Sequence, residues 1–503
     1  VATSAVTSGI INYGMVTLTS GADAGIYSTG LLTINAGQVV SDGVFGGGFD
    51  VNAGGVISGG IAAFSGDWNH ATPWAQYNVN ADGRVFDFNV GGYYGQFFVN
   101  SGGVADNIVI AGNTMFGFDN FASVSAGGVL TNATVLARGS LYIRGGTADG
   151  VVVDGGYEQV TDGSTARGVQ VSNGGVDQID GAGAGYGATL NGGGTERVYG
   201  VATATTVNGG GAQSVYGVAN GTLINLGGVE NIYAGGVASG TILNSGGADF
   251  VQSGGSTQGT VINGGGGEFV GAGGLASHVT VHRGGRESVF AGAVVNGITV
   301  EDGGLLMLQS TAAVTGLALS SAGVLDLQSM VADGATISDA NQLILTSGGT
   351  VVETIGLSGD YAGVTFNLQS DGVGGTFLTE SDSGVVPNLP GASFVTAGSI
   401  VSDIVLHALD LQSISGTAIG TVLNPGSMNT VVSGGLASGT IVNANAVETV
   451  FSGGQTLSGT VNSGGLEAIQ GGSAIGTIVN RGGALAATSA VTSGIINYGM
   501  VTL

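Results

Sequence analysis

The chain has 503 residues, of which 103 are glycine and four proline; glycine at this density without a Gly-X-Y period excludes collagen, and a 43% hydrophobic content excludes a disordered low-complexity chain. A net charge of −25, with all eight basic residues arginine, leaves no basic surface for nucleic acid or an anionic membrane. Mean hydropathy is +0.41, yet no run approaches the ~18 apolar residues of a membrane span, and the lack of cysteine excludes disulfides and thiolate metal sites.

Residues 1–57 read as the first turns of a repeat, at Ile11-Asn12-Tyr13-Gly14, Ile34-Asn35-Ala36-Gly37 and Val51-Asn52-Ala53-Gly54-Gly55. The chain starts at Val1 as if cut from something longer, and residues 2–18 are identical to residues 487–503 at an offset of 485. That recurrence implies tandem units, or an assembly in which each copy continues the last. Residues 58–98 break the period and gather Trp68, His70, Trp74, Tyr77, Phe86, Phe88, Tyr93, Tyr94, Phe97 and Phe98. They read as an insertion leaving the repeat: a satellite core burying its own aromatics, or a lateral contact patch, since exposed aromatics anchor interfaces.

Over residues 99–349 the repeat returns. Asn191, Asn208, Asn225, Asn244 and Asn263, then His282 and Glu301 in the same slot, follow at steps of 17, 17, 19, 19, 19 and 19 residues. Leu319 to Gly323 and Ile337-Ser338-Asp339 keep the register. Residues 350–400 form a second irregular insertion, with a strand at Val364-Phe366-Leu368, a tight turn at Asp371-Gly372, and Pro387 and Pro390. Regular turns return over 401–503 with Asn424, Asn443, Asn462 and Asn480. Almost nowhere do ten residues escape a glycine, so no helix is expected.

The spacing predicts an all-β solenoid, a parallel β-helix of roughly 19-residue turns with two irregular insertions. The residue before each Asn is aliphatic (Val207, Ile224, Leu243, Ile262), and seven residues after it stands another apolar column (Val198, Val215, Ile232, Val251). Stacked at ~4.8 Å, these columns make a continuous dry core. The Asn column reads as a structural ladder, because Asn tolerates left-handed corners and its amides can bond along the axis. Five residues after Asn stand Glu196, Gln213, Glu230, Asp249, Glu268 and Glu287, with Glu448 and Glu467 later. Like charges ~5 Å apart in water repel by roughly 0.8 kcal/mol per pair, so something offsets them. Two expectations stand: hydrogen bonding to turn N–H groups and to Arg197 or Arg286, or a calcium ladder on Glu196, Glu230, Asp249, Glu268 and Glu287. No other cofactor is expected. A threonine column (Thr205, Thr222, Thr241, Thr260) shares parity with the aliphatic column and reads as core lining rather than an ice-binding array.

The phrases S-G-G-L-A-S-G-T-I-V-N (Ser433 to Asn443), A-G-G-V-A-S-G-T-I-L-N-S-G-G (Ala234 to Gly247) and S-G-G-Q-T-L-S-G-T-V-N-S-G-G (Ser452 to Gly465) resemble the AIDA-type repeat. That repeat occurs in passenger domains of self-associating autotransporter adhesins and in giant bacterial surface proteins. The resemblance implies a right-handed β-helix displayed outside a Gram-negative cell and engaged in aggregation or biofilm. Some relatives are glycosylated on serine or threonine.

Polysaccharide lyases also use parallel β-helices, but they need a base beside metal-holding carboxylates. Here lysine is absent and the arginines are scattered, so no enzyme is expected. The reading is an extracellular structural fibre built from units of about 485 residues, with a self-associating adhesin as the alternative. Its expected partner is itself, end to end and side by side, with cell-surface polysaccharide as a further partner.

Overall fold

The computed structural model describes residues 2–3, 10–12, 16–20, 26–28, 31–45, 48–62, 75–91, 95–112, 119–370, 374–380, 393–395, 398, 400–406, 411–425, 427–488 and 490–502. Among them there is no helix; the chain is a parallel β-helix of short strands. Two compact units divide it, residues 1–190 with 194–205 and residues 191–193 with 206–503.

In unit 1 a turn consists of three short strands, as in Tyr157–Thr161, Thr165–Arg167 and Gln170–Ser172. Each lies parallel to its equivalent one turn on: Tyr157 pairs with Val176, Thr165 with Ala184, Gln170 with Thr189. The strand N–H and C=O groups thereby pair with those of the neighbouring turns. Burial alternates along the strand, so Glu158 and Val160 point inward while Tyr157 and Gln159 face out. In some turns the second and third strands merge and bend at one left-handed residue, Asp87 (φ 53) in Arg84–Val90 and Asn107 (φ 54) in Val104–Ile110. Asp and Asn enter that region at low cost because their short polar side chains bond locally.

Part of the expected insertion over 58–98 belongs to the coil itself. Gln76–Val79 pairs in parallel with Phe49–Val51 on one side and Gln96–Val99 on the other, so these strands are turns of the coil, while residues 63–74 and 92–94 lie outside the described residues. The period broke because one turn is long: Asn52 and Asn80 are equivalent yet 28 residues apart. Tyr77, Phe88 and Phe97 are at most 1% exposed. They fill the coil interior with Phe45 and Phe49, with ring centroids 5.0 Å apart for Phe49 and Tyr77 and 5.9 Å for Phe88 and Phe97. Bulky rings there take the place of the valines and alanines of later turns.

Unit 2 contains two coils. The first, exemplified by Ala248–Val251, Ser256–Gln258 and Val261–Ile262, ends at Val324–Gln328. There Thr376–Glu380 lies antiparallel on the last strand, Leu325 opposite Leu378, and is itself paired with Phe366–Ser370. Gly334–Ile337, Gln342–Ser347 and Thr350–Gly356 form an antiparallel meander beside it. The Tyr361 hydroxyl donates to the Leu319 carbonyl (3.1 Å) and accepts the Leu319 N–H (2.6 Å). An antiparallel strand laid across the last parallel turn ends the stack and closes an edge that would otherwise recruit chains. The main coil therefore stops near residue 328 rather than 349. Ile337 lies in a hairpin instead of a turn, and the described strands of the second irregular segment cap the first coil, while Asp371, Gly372, Pro387 and Pro390 lie outside the described residues.

The second coil begins by Ser393–Val395, which pairs with Leu411–Ile414, and runs through Met428–Val431, Val447–Phe451, Leu466–Gln470 and Ala484–Thr488. It lies against the first coil. Val229, Ala248, Phe250 and Phe269 form one buried cluster with Met428, Val447, Leu466, Ala468 and Ala484. The Met500 side chain rests against Gly210 and that of Met428 against Gly267, so the coils run in opposite directions.

The paired glycines have two separate causes. Gly246 has φ +75, a conformation L side chains rarely adopt. Its neighbour Gly247 does not, but a Cβ there would sit 2.6 Å from the Ile224 carbonyl oxygen of the turn below. At Gly236 the same approach, to the Val215 oxygen, is 2.3 Å, while Gly181 has nothing within 4 Å. Gly236→Ala is expected to destabilise by about 1–3 kcal/mol in thermal melts, the range for overpacking a rigid site. Gly181→Ala should melt with the parent, and equal melts for both would remove the steric account.

Candidate functional site

Two polar ladders run along the coils. The outer one is the asparagine column. In unit 2 each amide donates to the Asn of the preceding turn: Asn208 to Asn191 (3.0 Å), Asn225 to Asn208 (3.0 Å), Asn244 to Asn225 (2.8 Å) and Asn263 to Asn244 (2.9 Å). The second coil repeats it with Asn443 to Asn424, Asn462 to Asn443 and Asn480 to Asn462. Where the column changes to His282 and Glu301, the imidazole Nδ1 lies 2.6 Å from the Glu301 carboxylate, so the ladder continues as a mixed pair. Unit 1 has its own run, Asn52 to Asn35, Asn80 to Asn52 and Asn100 to Asn80. Asn80 and Asn100 were hidden in the sequence by the long turn.

The inner ladder is the acidic column, and it faces the coil interior. Glu196, Glu230, Asp249, Glu268, Glu287, Glu448 and Glu467 are all at 0% exposure. Spacing from Asn191 had missed two further inward acids, Glu158 and Asp177 in register below Glu196, and two inward amides, Gln412 and Asn429, below Glu448. The threonine column faces them across the interior. Thr205 donates to Glu196 (3.0 Å) in unit 1; in unit 2 Thr241 donates to Glu230 (3.0 Å) and Thr260 to Glu268 (2.9 Å). Thr222 does the same to Gln213, Thr456 to Glu448 and Thr477 to Glu467.

A carboxylate in a dry interior loses its hydration, so burial favours the neutral acid. Glu158 is pushed up to about 8, by burial first and the Glu196 charge second. Glu448 rises to about 7, burial outweighing the bonds from Thr440, Thr456 and Asn429. Asp177, Asp249, Glu287 and Glu467 stand well above the usual carboxylate range, again chiefly through burial and then neighbouring acids. Glu268 is raised as well, chiefly by burial, while its interactions with Glu287, Thr257, Thr260 and Asp249 hold it down.

These side chains face the coil interior, where burial favours the neutral acid, and among the described residues no three His, Cys, Asp or Glu side chains come together to hold a metal ion. Arg286 is buried beside the column but points outward from it, its guanidinium 4.9 Å over the Phe269 ring.

Of the aromatic patch, Tyr77, Phe88 and Phe97 are interior and Phe86 and Phe98 half-buried; Trp68, His70, Trp74, Tyr93 and Tyr94 lie outside the described residues. Phe98 instead opens an outward row in unit 1. Its ring is 5.7 Å from Phe121, Phe121 is 6.0 Å from Tyr142, and Tyr142 is 6.3 Å from Tyr157.

Comparison with known proteins gives three findings. Residues 214–266 match the family model of AIDA, described as "Adhesin of bacterial autotransporter system, probable stalk". The chain is similar to the crystal structure of a TibC-catalyzed hyper-glycosylated TibA fragment, at 25% identity and a TM-score of 0.42, over 64% of this chain and 97% of that one. It is also similar to a PL6-family alginate lyase, AlyGC, at 10% identity and a TM-score of 0.23, over 96% of this chain and 78% of that one. No curated protein matches it in sequence.

Proposed function

We propose that the chain is an extracellular stalk of the autotransporter-adhesin kind, displayed on a Gram-negative cell, in which units of 485 residues join end on into a fibre. The AIDA repeat at 214–266 supports the class of protein. The joint rests on one observation: residues 487–503, the copy of residues 2–18, continue the second coil in register. Ile496 pairs with Ile478, Val491 with Ser473 and Val501 with Leu485, and the Ile496 N–H reaches the Thr477 oxygen at 2.9 Å. This pairing supports the reading that the opening sequence of a unit serves as the next turn of that coil. Because unit 2 doubles back at its cap, such a fibre gains thickness by pairing coils. The inward acids belong to the packing of each coil, in place of the exposed base and carboxylates a lyase requires.

A two-unit chain imaged by negative-stain electron microscopy is expected to show one unbroken particle with no gap at the joint. Two separately tumbling particles on a tether would defeat the reading. Lateral self-adhesion is the second reading, favoured by the outward row Phe98, Phe121, Tyr142 and Tyr157. Phe121→Ser with Tyr142→Ser should then reduce clumping of displaying cells severalfold; unchanged sedimentation of those cells would refute it.

A further inference from the structure

In the first coil of unit 2 the residue following the inward aliphatic of one strand in each turn forms an outer column, one member per turn: Tyr216, Tyr233, Gln252, Gly271, Phe290, Gln309. The Tyr216 and Tyr233 rings stack 4.6 Å apart and 7° from parallel, with Tyr216 37% exposed. Further along, the second coil faces this column with Phe451 and Gln470. The Phe290 and Phe451 rings are 4.5 Å apart, and the Gln252 amide donates to Gln470 at 3.0 Å. Between them lies an open-sided cleft of about 430 Å³. In a chain of net charge −25, its lining has no Asp, Glu, Lys, Arg or His.

We propose that this column and cleft bind a neutral polysaccharide lying along the coil axis. Its sugar faces would rest on Tyr216, Tyr233 and Phe290, and its hydroxyls on the amides of Gln252, Gln309 and Gln470. Aromatic faces carry negative charge that attracts the C–H faces of a sugar. A glutamine amide both donates and accepts, which matches a hydroxyl group that does both. The turn spacing of ~4.8 Å is close to the length of one pyranose, so successive sugars meet successive turns. An extended peptide is a poorer fit, because it binds by adding to a strand edge, and the backbone beneath this column is already paired turn to turn. An acidic polysaccharide would be repelled by the charge of the chain.

Affinity electrophoresis in gels containing mannan, dextran, mixed-linkage β-glucan or alginate tests the proposal, which does not depend on how units join. At least one neutral glycan is expected to retard the protein, and alginate to leave it unretarded. Tyr216→Ala and Phe290→Ala should each weaken that retardation about tenfold, the scale of one lost aromatic contact. Tyr216 is exposed enough that its variant keeps the parent melting temperature, which separates lost binding from lost fold. Migration unaffected by all three neutral glycans would overturn the proposal, as would retardation by alginate alone, or variants that bind like the parent.

Discussion

Raising the pH from 5 to 9 is expected to lower the melting temperature of this protein by at least about 5 °C, the reverse of the usual acid lability of carboxylate-rich proteins. The sign follows from the inner ladder. Glu158 and Glu448 hold their protons up to about 8 and about 7 in the folded coil, whereas the unfolded chain releases them near the ordinary value of 4.5. Between those limits the folded state binds more protons, so stability falls as pH rises. The contribution is fully present below the unfolded value and is lost through the folded one. Each pH unit between the two values is worth about 1.4 kcal/mol per group. Asp177, Asp249, Glu287 and Glu467 shift in the same direction and add to the loss.

The chain already contains the variant that isolates this effect. Gln213 occupies the acid slot and accepts from Thr222 at 3.0 Å, as Glu448 accepts from Thr456 at 3.2 Å. Glu448→Gln should therefore keep the fold and melt higher than the parent at pH 9, with little difference at pH 5. EDTA should leave the melt at pH 7 unchanged. Melting that rises with pH, or that falls on chelation, would mean ionised acids held by a cation.

The turn and its core columns were legible because the interior repeats: Val207, Ile224, Leu243 and Ile262 recur at almost constant spacing. The facing of the acids was not legible from spacing alone. Alternation places Glu230 on the same side as the fully buried Ile232, but the cost of burying a charge argues for the surface, and only the threonines opposite reverse that argument. The cap escaped because Ile337 kept the period by composition while its strand paired backward within a hairpin. The aromatic turns escaped because a 28-residue step and bulky interior rings break the pattern of the other turns. Coil-to-coil packing shows in the burial pattern rather than in the spacing. In unit 1 strands such as Val176–Ile179 are buried only at alternate positions, whereas Ala248–Val251, Gly267–Val270 and Leu466–Gln470 are buried at four successive positions. Loss of the two-residue alternation marks a sheet covered on both faces.

That covered face carries the second large effect. Leu466 is 1% exposed, on the second coil's outward side, in one cluster with Val229, Ala248, Phe250 and Phe269 of the first. Replacing it with glutamate places a carboxylate where no partner charge is available in the cluster. It leaves the interior column untouched, since Glu467 and not Leu466 points inward. Leu466→Glu is expected to cost upwards of about 3 kcal/mol, the scale for an uncompensated buried charge. The loss should fall on the contact between coils rather than on either coil, because turn-to-turn backbone bonds do not pass through Leu466 side-chain atoms. Calorimetry should then resolve separate transitions for the two coils of unit 2 where the parent gives one. Phe269→Ala, which removes a ring stacked 4.9 Å from Phe250, should move the same transition by about 3–5 kcal/mol without introducing charge. Leu457, 38% exposed elsewhere on the second coil, provides the control. If Leu457→Glu proves as damaging as Leu466→Glu, the effect belongs to the coil itself, and the paired-coil arrangement contributes nothing to its stability.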